Sequence, residues 1–493
     1  MTVLAHQTDT LTRDALAVLQ PGFEGTTAPA WLLRRVGEGL TAVGLFGRNI
    51  TSPEQLAALT AQLRAERDDV LVAIDEEGGD VTRLEVRGGS SFPGNLALGA
   101  VDDTGLTRDV ARELGRRLAE CGVNLNWAPS ADVNSNPDNP VIGVRSFGAD
   151  THLAARHTAA YVEGLQAAGV AACTKHFPGH GDTSVDSHHA LPRIDVDLDT
   201  LQARELIPFK AAIEAGTKAV MSAHILVPAL DPTRPATLSP QILTGLLRKE
   251  LGYEGLIVTD GMEMNAIAGT YGIERGSVLA IAAGADAICV GGGLADEATV
   301  LRLRDALVAA VREGTLPEER LADAAARVRE LAAWTLRARP DARPEGSRAS
   351  GIGLTAARRA LAVTGSPQPL SAPYVATLTP VANIAVGDET PWGVADELAA
   401  LVPATTSGRY PEGARAADIL AAAGDRTVVA VVRDAHRHPW MTEALDALVA
   451  ARPDTVVVEM GLPMAAPRGA VYIATHGASR VCGRAAAEVI AGA

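Results

Sequence analysis

Aromatic residues make up only 3% of this chain. A surface whose main work is stacking on a polymeric ligand needs more of them, so that class is set aside. Cysteine is scarce too. Cys121, Cys173, Cys289 and Cys482 lie far apart and none forms a CxxC pair, which excludes a disulfide framework and a zinc knuckle. Positive charge is in deficit: 44 Lys and Arg against 59 Asp and Glu leave a net charge of −15. Without a basic footprint, nucleic acid and anionic membrane are not expected partners. No stretch approaches the roughly 18 uninterrupted apolar residues of a spanning helix. The segment MTVLAHQTDTLTRDALAVLQ lacks a basic start followed by an apolar run, so no secretory leader is read there. The expectation is a soluble, cytoplasmic protein.

What is present is globular material. The chain has 493 residues, 47% of them hydrophobic, enough for two or three domains at roughly 150 residues each. Short apolar runs recur over the first two-thirds: VLVAID ending at Asp75, GVNLNWAP from Gly122, GVAACTKH ending at His176, AVMSAH ending at His224, GLIVTD ending at Asp260 and ADAICVGG ending at Gly292. They lack polar alternation, as strands buried on both faces should. Amphipathic stretches such as 107–121, 152–168 and 198–215 separate them, a pattern of parallel strands with helical crossovers. Polar residues collect where the runs end, at Asp75, Asn126, Lys175, His176, His224 and Asp260. A (β/α)8 barrel brings such ends together on one face, whereas an open sheet concentrates its site at one crevice. The pattern favours a TIM-like barrel.

Residues 337–350, RARPDARPEGSRAS, carry no apolar periodicity and read as a linker. The expected division is a catalytic barrel over 1–338, a linker over 339–350 and a smaller α/β sandwich domain over 351–493. In the last part VANIAVGD, RTVVAVVRD, DTVVVEMG and GAVYIATHG read as strands between Ala-rich helices. His436, His438, Trp440 and His476 occur there, yet no string demands catalysis. This domain reads as mainly structural, with a homodimer surface as one use.

The densest polar cluster runs KHFPGHGDT from Lys175 and continues to Asp186, Ser187, His188 and His189. Gly179 and Gly181 let the backbone fold tightly there. The histidine spacing is not that of a helix-borne metal pair, and no metal is expected. Asp186 two residues before His188 suggests a dyad in which the carboxylate holds the imidazole for proton transfer. Asp260 would project into the mouth of a barrel or cap a helix; the residues alone leave both open. Asp75 and Arg83 bracket a second strand-end cluster, DEEGGDVTR, and Arg145 lies in NPVIGVRSFG. Carboxylate, guanidinium and ammonium groups together suit a polyhydroxylated ligand; the alternative is a surface ion-pair loop of little energetic weight.

Over residues 15–335 these strings resemble glycoside hydrolase family 3, and within it the β-N-acetylglucosaminidases of the NagZ type. The resemblance rests on LQPGFEGTTAPAWL, IDEEGGDVTRL, FPGNLALGA, NPVIGVRSFG, TKHFPGHGDTSVDSH, SAHILVPALDPTRPATLS and LLRKELGYEGLIVTDGMEM. KHFPGHGDT followed by DSH is the most specific of them. The resemblance implies Asp260 as nucleophile, His188 as general acid/base, Asp186 as its dyad partner, and Asp75, Arg83, Arg145, Lys175 and His176 as ligands of the −1 sugar, with no cofactor. The implied substrate is a GlcNAc-containing oligosaccharide or muropeptide, hydrolysed with retention. A phosphorylase using the same nucleophile and a silent sugar-binding protein are the alternatives. Asp80 stands where the family commonly has Arg, which puts the rim and its ion pairs in question.

Overall fold

Eight short parallel strands organise the first two-thirds of the chain: β1 (Leu19–Pro21), β2 (Ala42–Leu45), β3 (Leu71–Ile74), β4 (Leu125–Asn126), β5 (Ala171–Phe177), β6 (Ala219–Ser222), β7 (Leu256–Thr259) and β8 (Ile288–Val290). The computed structural model describes residues 9–185, 191–338, 351–381, 386–387 and 389–493. Strands β2 to β7 form one ladder in chain order and β1 pairs with β8. A bridge between Val258 and Ala287 joins β7 to β8, while β1 packs beside β2. Helices follow the strands on the outside, which gives the (β/α)8 arrangement.

The absence of polar alternation has a direct structural cause. Within β3, Leu71 and Ala73 face the barrel interior, where they meet Leu125, Cys173, Met221, Val258 and Cys289. Their neighbours Val72 and Ile74 pack outward into the larger core beneath the helices. Both faces are dry, so both are apolar. Helix Glu318–Arg337 contributes Val328, Leu331 and Ala332 to the interior cluster. At the amino end of the last strands, buried Asp286 accepts the Ile257 N–H and pairs with Arg248 and Arg320. That face is built for stability, and polar chemistry is left to the other.

Six strands coincide with the apolar runs of the sequence. Strands β1 and β2 were not anticipated: LQP is three residues long with a proline and no β-branched side chain, and AVGL has four residues with a single β-branched one. The run GVNLNWAP shrinks to two strand residues, after which the chain turns toward the site.

A second sheet holds six strands: β9 (Ala362–Gly365), β10 (Tyr374–Thr379), β11 (Thr406–Pro411), β12 (Val428–Val432), β13 (Val456–Glu459) and β14 (Val471–Ala474). Their order is β11-β10-β12-β13-β14-β9, with only β9 antiparallel. One face packs on the helices Ile352–Ala360, Ala395–Leu401 and Arg480–Ala491, the other on Ala416–Ala423 and Pro439–Ala451. This is a three-layer α/β sandwich. The strand expected at VANIAVGD falls mainly on residues outside the described ones. YVATLT, just before it, forms β10. Residues 339–350, the expected linker, also lie outside the described residues.

The two sheets are docked by specific contacts. Asp80, the residue that departs from the family pattern, is buried, accepts the Ala478 N–H at 2.7 Å and pairs with Arg433 at 2.5 Å. His436 Nε2 donates to the Pro137 carbonyl at 2.9 Å, and Arg359 pairs with Asp103 at 2.9 Å. Asp80 is therefore an inter-domain anchor.

Candidate active site

The carboxyl ends of the barrel strands carry a buried lattice of charges. Just past β3, Asn126 pins the chain by accepting the Glu76 N–H at 3.0 Å and donating to the Glu76 carbonyl at 2.7 Å. The Glu76 carboxyl accepts the N–H groups of Arg83 and Leu84, which fixes the return of the loop that carries Arg83. Burial pushes the Glu76 carboxyl up to about 7.

Glu77 is clamped between two cations. Arg145 reaches it at 2.7 Å and Lys175 at 2.6 Å. Burial alone would raise this carboxyl, but the Arg145 and Lys175 charges bring it well below the usual range. Lys175 also bonds Asp75 at 2.5 Å, and Arg83 approaches the other Asp75 oxygen at 3.6 Å. Burial opposes the Lys175 charge, yet Asp75 and Glu77 raise its pKa on balance. The lattice therefore keeps its charges in place, and the surface ion-pair alternative is excluded because Glu77, Arg145 and Lys175 are all buried.

His176 is oriented from behind. Asp132 Oδ2 lies 2.7 Å from His176 Nδ1, and Oδ1 accepts the N–H groups of His176 and His180. Ser130 completes the set by donating to Oδ2. The carboxylate fixes the proton on Nδ1, and Nε2, 3.3 Å from Arg145 Nη2, is left as acceptor. His180 is buried edge-on to His176 at 6.0 Å, and burial lowers it to about 4. The tight loop needs its glycines: a Cβ on Gly181 would lie 1.7 Å from the Val133 carbonyl oxygen.

Asp260 closes β7. Its carboxylate accepts the Gly261 N–H at 2.8 Å, and the next helix begins only at Asn265 with Met264 as its N-cap. The helix-cap alternative is thereby closed. His224, another polar strand end, does not line the cavity. It is buried, donates from Nε2 to the Gly261 carbonyl at 2.9 Å, and so supports the turn that carries Asp260.

Asp75, Arg83, Arg145, Lys175, His176 and Asp260 surround one cavity of about 790 Å3, with Trp127 and Met221 on its apolar side. Of the residues singled out in the sequence, these six come together. Asp186 and His188 lie outside the described residues. Three contributors went unrecognised. Glu77 sat in a quoted string without a role, and Asp132 follows β4 in a Pro-containing loop whose partner is a strand away. The third is Glu389, which joins Val386 and Gly387 of the second domain in the cavity wall. The second domain is thus more than structural.

Residues 32–331 match the N-terminal domain of glycosyl hydrolase family 3. The chain is similar to β-hexosaminidase A of Pseudoalteromonas piscicida, 38% identical over 312 residues. That match covers 58% of this chain and 52% of the relative, so it spans about half the relative's length. A family 3 β-N-acetylglucosaminidase structure from Paenibacillus sp. superposes with a TM-score of 0.87 at 34% identity, covering 98% of this chain and 97% of that one. The structure of NagZ from Neisseria gonorrhoeae with N-trifluoroacetyl-D-glucosamine gives a TM-score of 0.56 at 29% identity, covering 70% and 96%.

Proposed function

Because this chain belongs to glycosyl hydrolase family 3, we propose that it is a retaining exo-β-N-acetylglucosaminidase that removes terminal β-linked GlcNAc from cell-wall muropeptides or chitooligosaccharides in the cytoplasm. The observation that carries this reading is the convergence of Asp260 with the Asp75–Lys175–Glu77–Arg145 lattice and His176 in one cavity. The relatives named above are β-hexosaminidases and a β-N-acetylglucosaminidase, and the Neisseria neighbour holds a GlcNAc analogue.

The chemistry follows from the groups present. Asp75, Arg83, Arg145, Lys175 and His176 offer carboxylate, ammonium, guanidinium and imidazole positions whose geometry is set before substrate arrives, the arrangement a ring of hydroxyls requires. Asp260 attacks the anomeric carbon as the bond to the leaving oxygen breaks, and its charge stabilises the oxocarbenium character on the way. His188, held by Asp186, gives a proton to the leaving oxygen. It then takes one from water as the water displaces Asp260 and releases β-GlcNAc.

The test is covalent trapping. An activated, slowly released fluorinated β-GlcNAc glycoside should add the mass of one sugar to the intact chain, on a peptide containing Asp260, and Asp260→Ala should abolish the adduct. An adduct on another carboxylate, or turnover retained by Asp260→Ala, overturns the reading.

A further inference from the structure

The barrel is stitched unevenly. Strands β2 to β7 share one ladder and β1 with β8 another. Between the two, β7 and β8 are joined by the bridge of Val258 with Ala287, and β1 packs beside β2. Asp260, at the end of β7, therefore stands at the edge of a seam that no extended ladder crosses among the described residues. Side chains cross it instead. Two of them, Arg48 and Glu263, lie on the wall of the cavity that holds Asp260, and nothing above gives either a role.

After Asp260 the chain lies along β8. The Met262 N–H donates to the Cys289 carbonyl at 3.0 Å, and Thr259 Oγ1 accepts the Cys289 N–H at 3.0 Å. Glu263 then reaches past the end of β8, where Oε1 accepts the N–H of Gly291 at 2.9 Å and that of Gly292. Its carboxylate is wedged between the two segments: a Cβ on Gly261 would lie 3.3 Å from Oε2, and one on Gly292 2.8 Å from Oε1. From the opposite side Arg48, just past β2, donates to the carbonyls of the same two glycines. Its Nε donates to the Phe23 carbonyl, past β1, at 3.1 Å. Gly291 and Gly292 are thus held through their N–H groups by an anion and through their carbonyls by a cation, both in charge-assisted bonds. The turn that carries Asp260 is braced against this held segment. Fixing a nucleophile before substrate arrives matters because a displacement of about 1 Å can cost about 100-fold in rate.

We propose that Glu263 and Arg48 are positioning residues for Asp260: by holding Gly291 and Gly292 from both sides they aim the Asp260 carboxylate, and they act on formation of the glycosyl-enzyme rather than on sugar binding. This rests on the reading of Asp260 as nucleophile. The experiment follows labelling of the intact chain by a 5-fluorinated β-GlcNAc fluoride. An Asp260 oxygen bonds to the anomeric carbon as the carbon–fluorine bond breaks, and fluoride leaves with the electron pair, so the rate reports Asp260 without the proton step. Glu263→Ala and Arg48→Met should each label about 10–100-fold more slowly, with the inhibition constant of free GlcNAc unchanged. The double variant should be no slower than the worse single one, because both side chains act on the same two glycines. Glu263→Gln, which keeps an oxygen for both N–H groups, should recover most of the rate. The final labelled fraction counts folded chains, so a rate per folded chain is read even where a variant is unstable. Unchanged labelling rates, a slowing matched by equally weakened GlcNAc binding, additive single effects, or a Gln variant as slow as Ala overturn the proposal. Wild-type label on another carboxylate overturns the nucleophile reading and the proposal with it, whereas label on Asp260 at equal rates in all variants overturns the proposal alone.

Discussion

The Asp80–Arg433 pair holds the second domain against the barrel, and its removal has a calculable cost. The Asp80 side chain is 1% exposed and that of Arg433 13%. Leaving one member of a buried pair uncompensated costs about 3–5 kcal/mol. Arg433 keeps some solvent and the Trp392 face, so Asp80→Asn belongs at the lower end, about 3 kcal/mol. Asparagine still accepts the Ala478 N–H, so the loss reports charge rather than a missing hydrogen bond. Arg433→Met should cost a similar amount at pH 8. Its defect should shrink on acidification: burial raises the Asp80 carboxyl against the Arg433 charge, and without that charge the acid is raised further. A carboxyl raised on folding stabilises below its unfolded pKa and loses that contribution as pH climbs through the folded value. The double variant removes both charges and should cost no more than either single change, a coupling of about 3 kcal/mol. Urea unfolding followed by circular dichroism at pH 5 and pH 8 reads all three. Single variants within about 0.5 kcal/mol of wild type, or additive effects, would refute the reasoning.

Two further changes probe the lattice around the cavity. Asp132→Asn keeps the shape but puts an amide beside His176 Nδ1; kcat/KM should fall about 10–100-fold, as for loss of an orienting carboxylate. Nitrogen NMR of the ring should then show the proton moved from Nδ1 to Nε2, and an unchanged tautomer would count against the role given to Asp132. Glu76→Gln keeps an acceptor for the Arg83 and Leu84 N–H groups. Glu76 is raised to about 7, so wild-type stability is favoured below about pH 4.5 and declines as pH rises to 7. Relative to wild type, the variant should gain about 1–3 kcal/mol between pH 5 and 8; parallel stability curves would contradict this.

Much of the barrel was legible because its strands are dry on both faces. VLVAID and GLIVTD show this without any partner sequence, and their terminal aspartates mark the functional end. Strands β1 and β2 were not legible: three or four residues with one proline carry too little pattern, and only pairing with β8 makes Leu19–Pro21 a strand. In the second domain YVATLT, which forms β10, was passed over although it is rich in β-branched and aromatic residues. The site residues split the same way. Asp75, Lys175, His176 and Asp260 announce themselves by ending apolar runs, whereas Asp132 acts only through a contact across 44 positions. Asp80 was visible as a departure from the family pattern. Its partner Arg433 was not, since nothing local ties residues so far apart in sequence. The same holds for Glu389, which reaches the cavity only because the second domain is docked.

The most direct test of the central claim is the identity of the first-formed product from an aryl β-GlcNAc, followed by proton NMR with and without added phosphate, beside the matching aryl β-glucoside. The account predicts free β-GlcNAc before mutarotation, a rate indifferent to phosphate, and a much slower glucoside. First-formed α-GlcNAc would contradict the double displacement at Asp260, and a sugar phosphate formed at a phosphate-dependent rate would contradict hydrolysis.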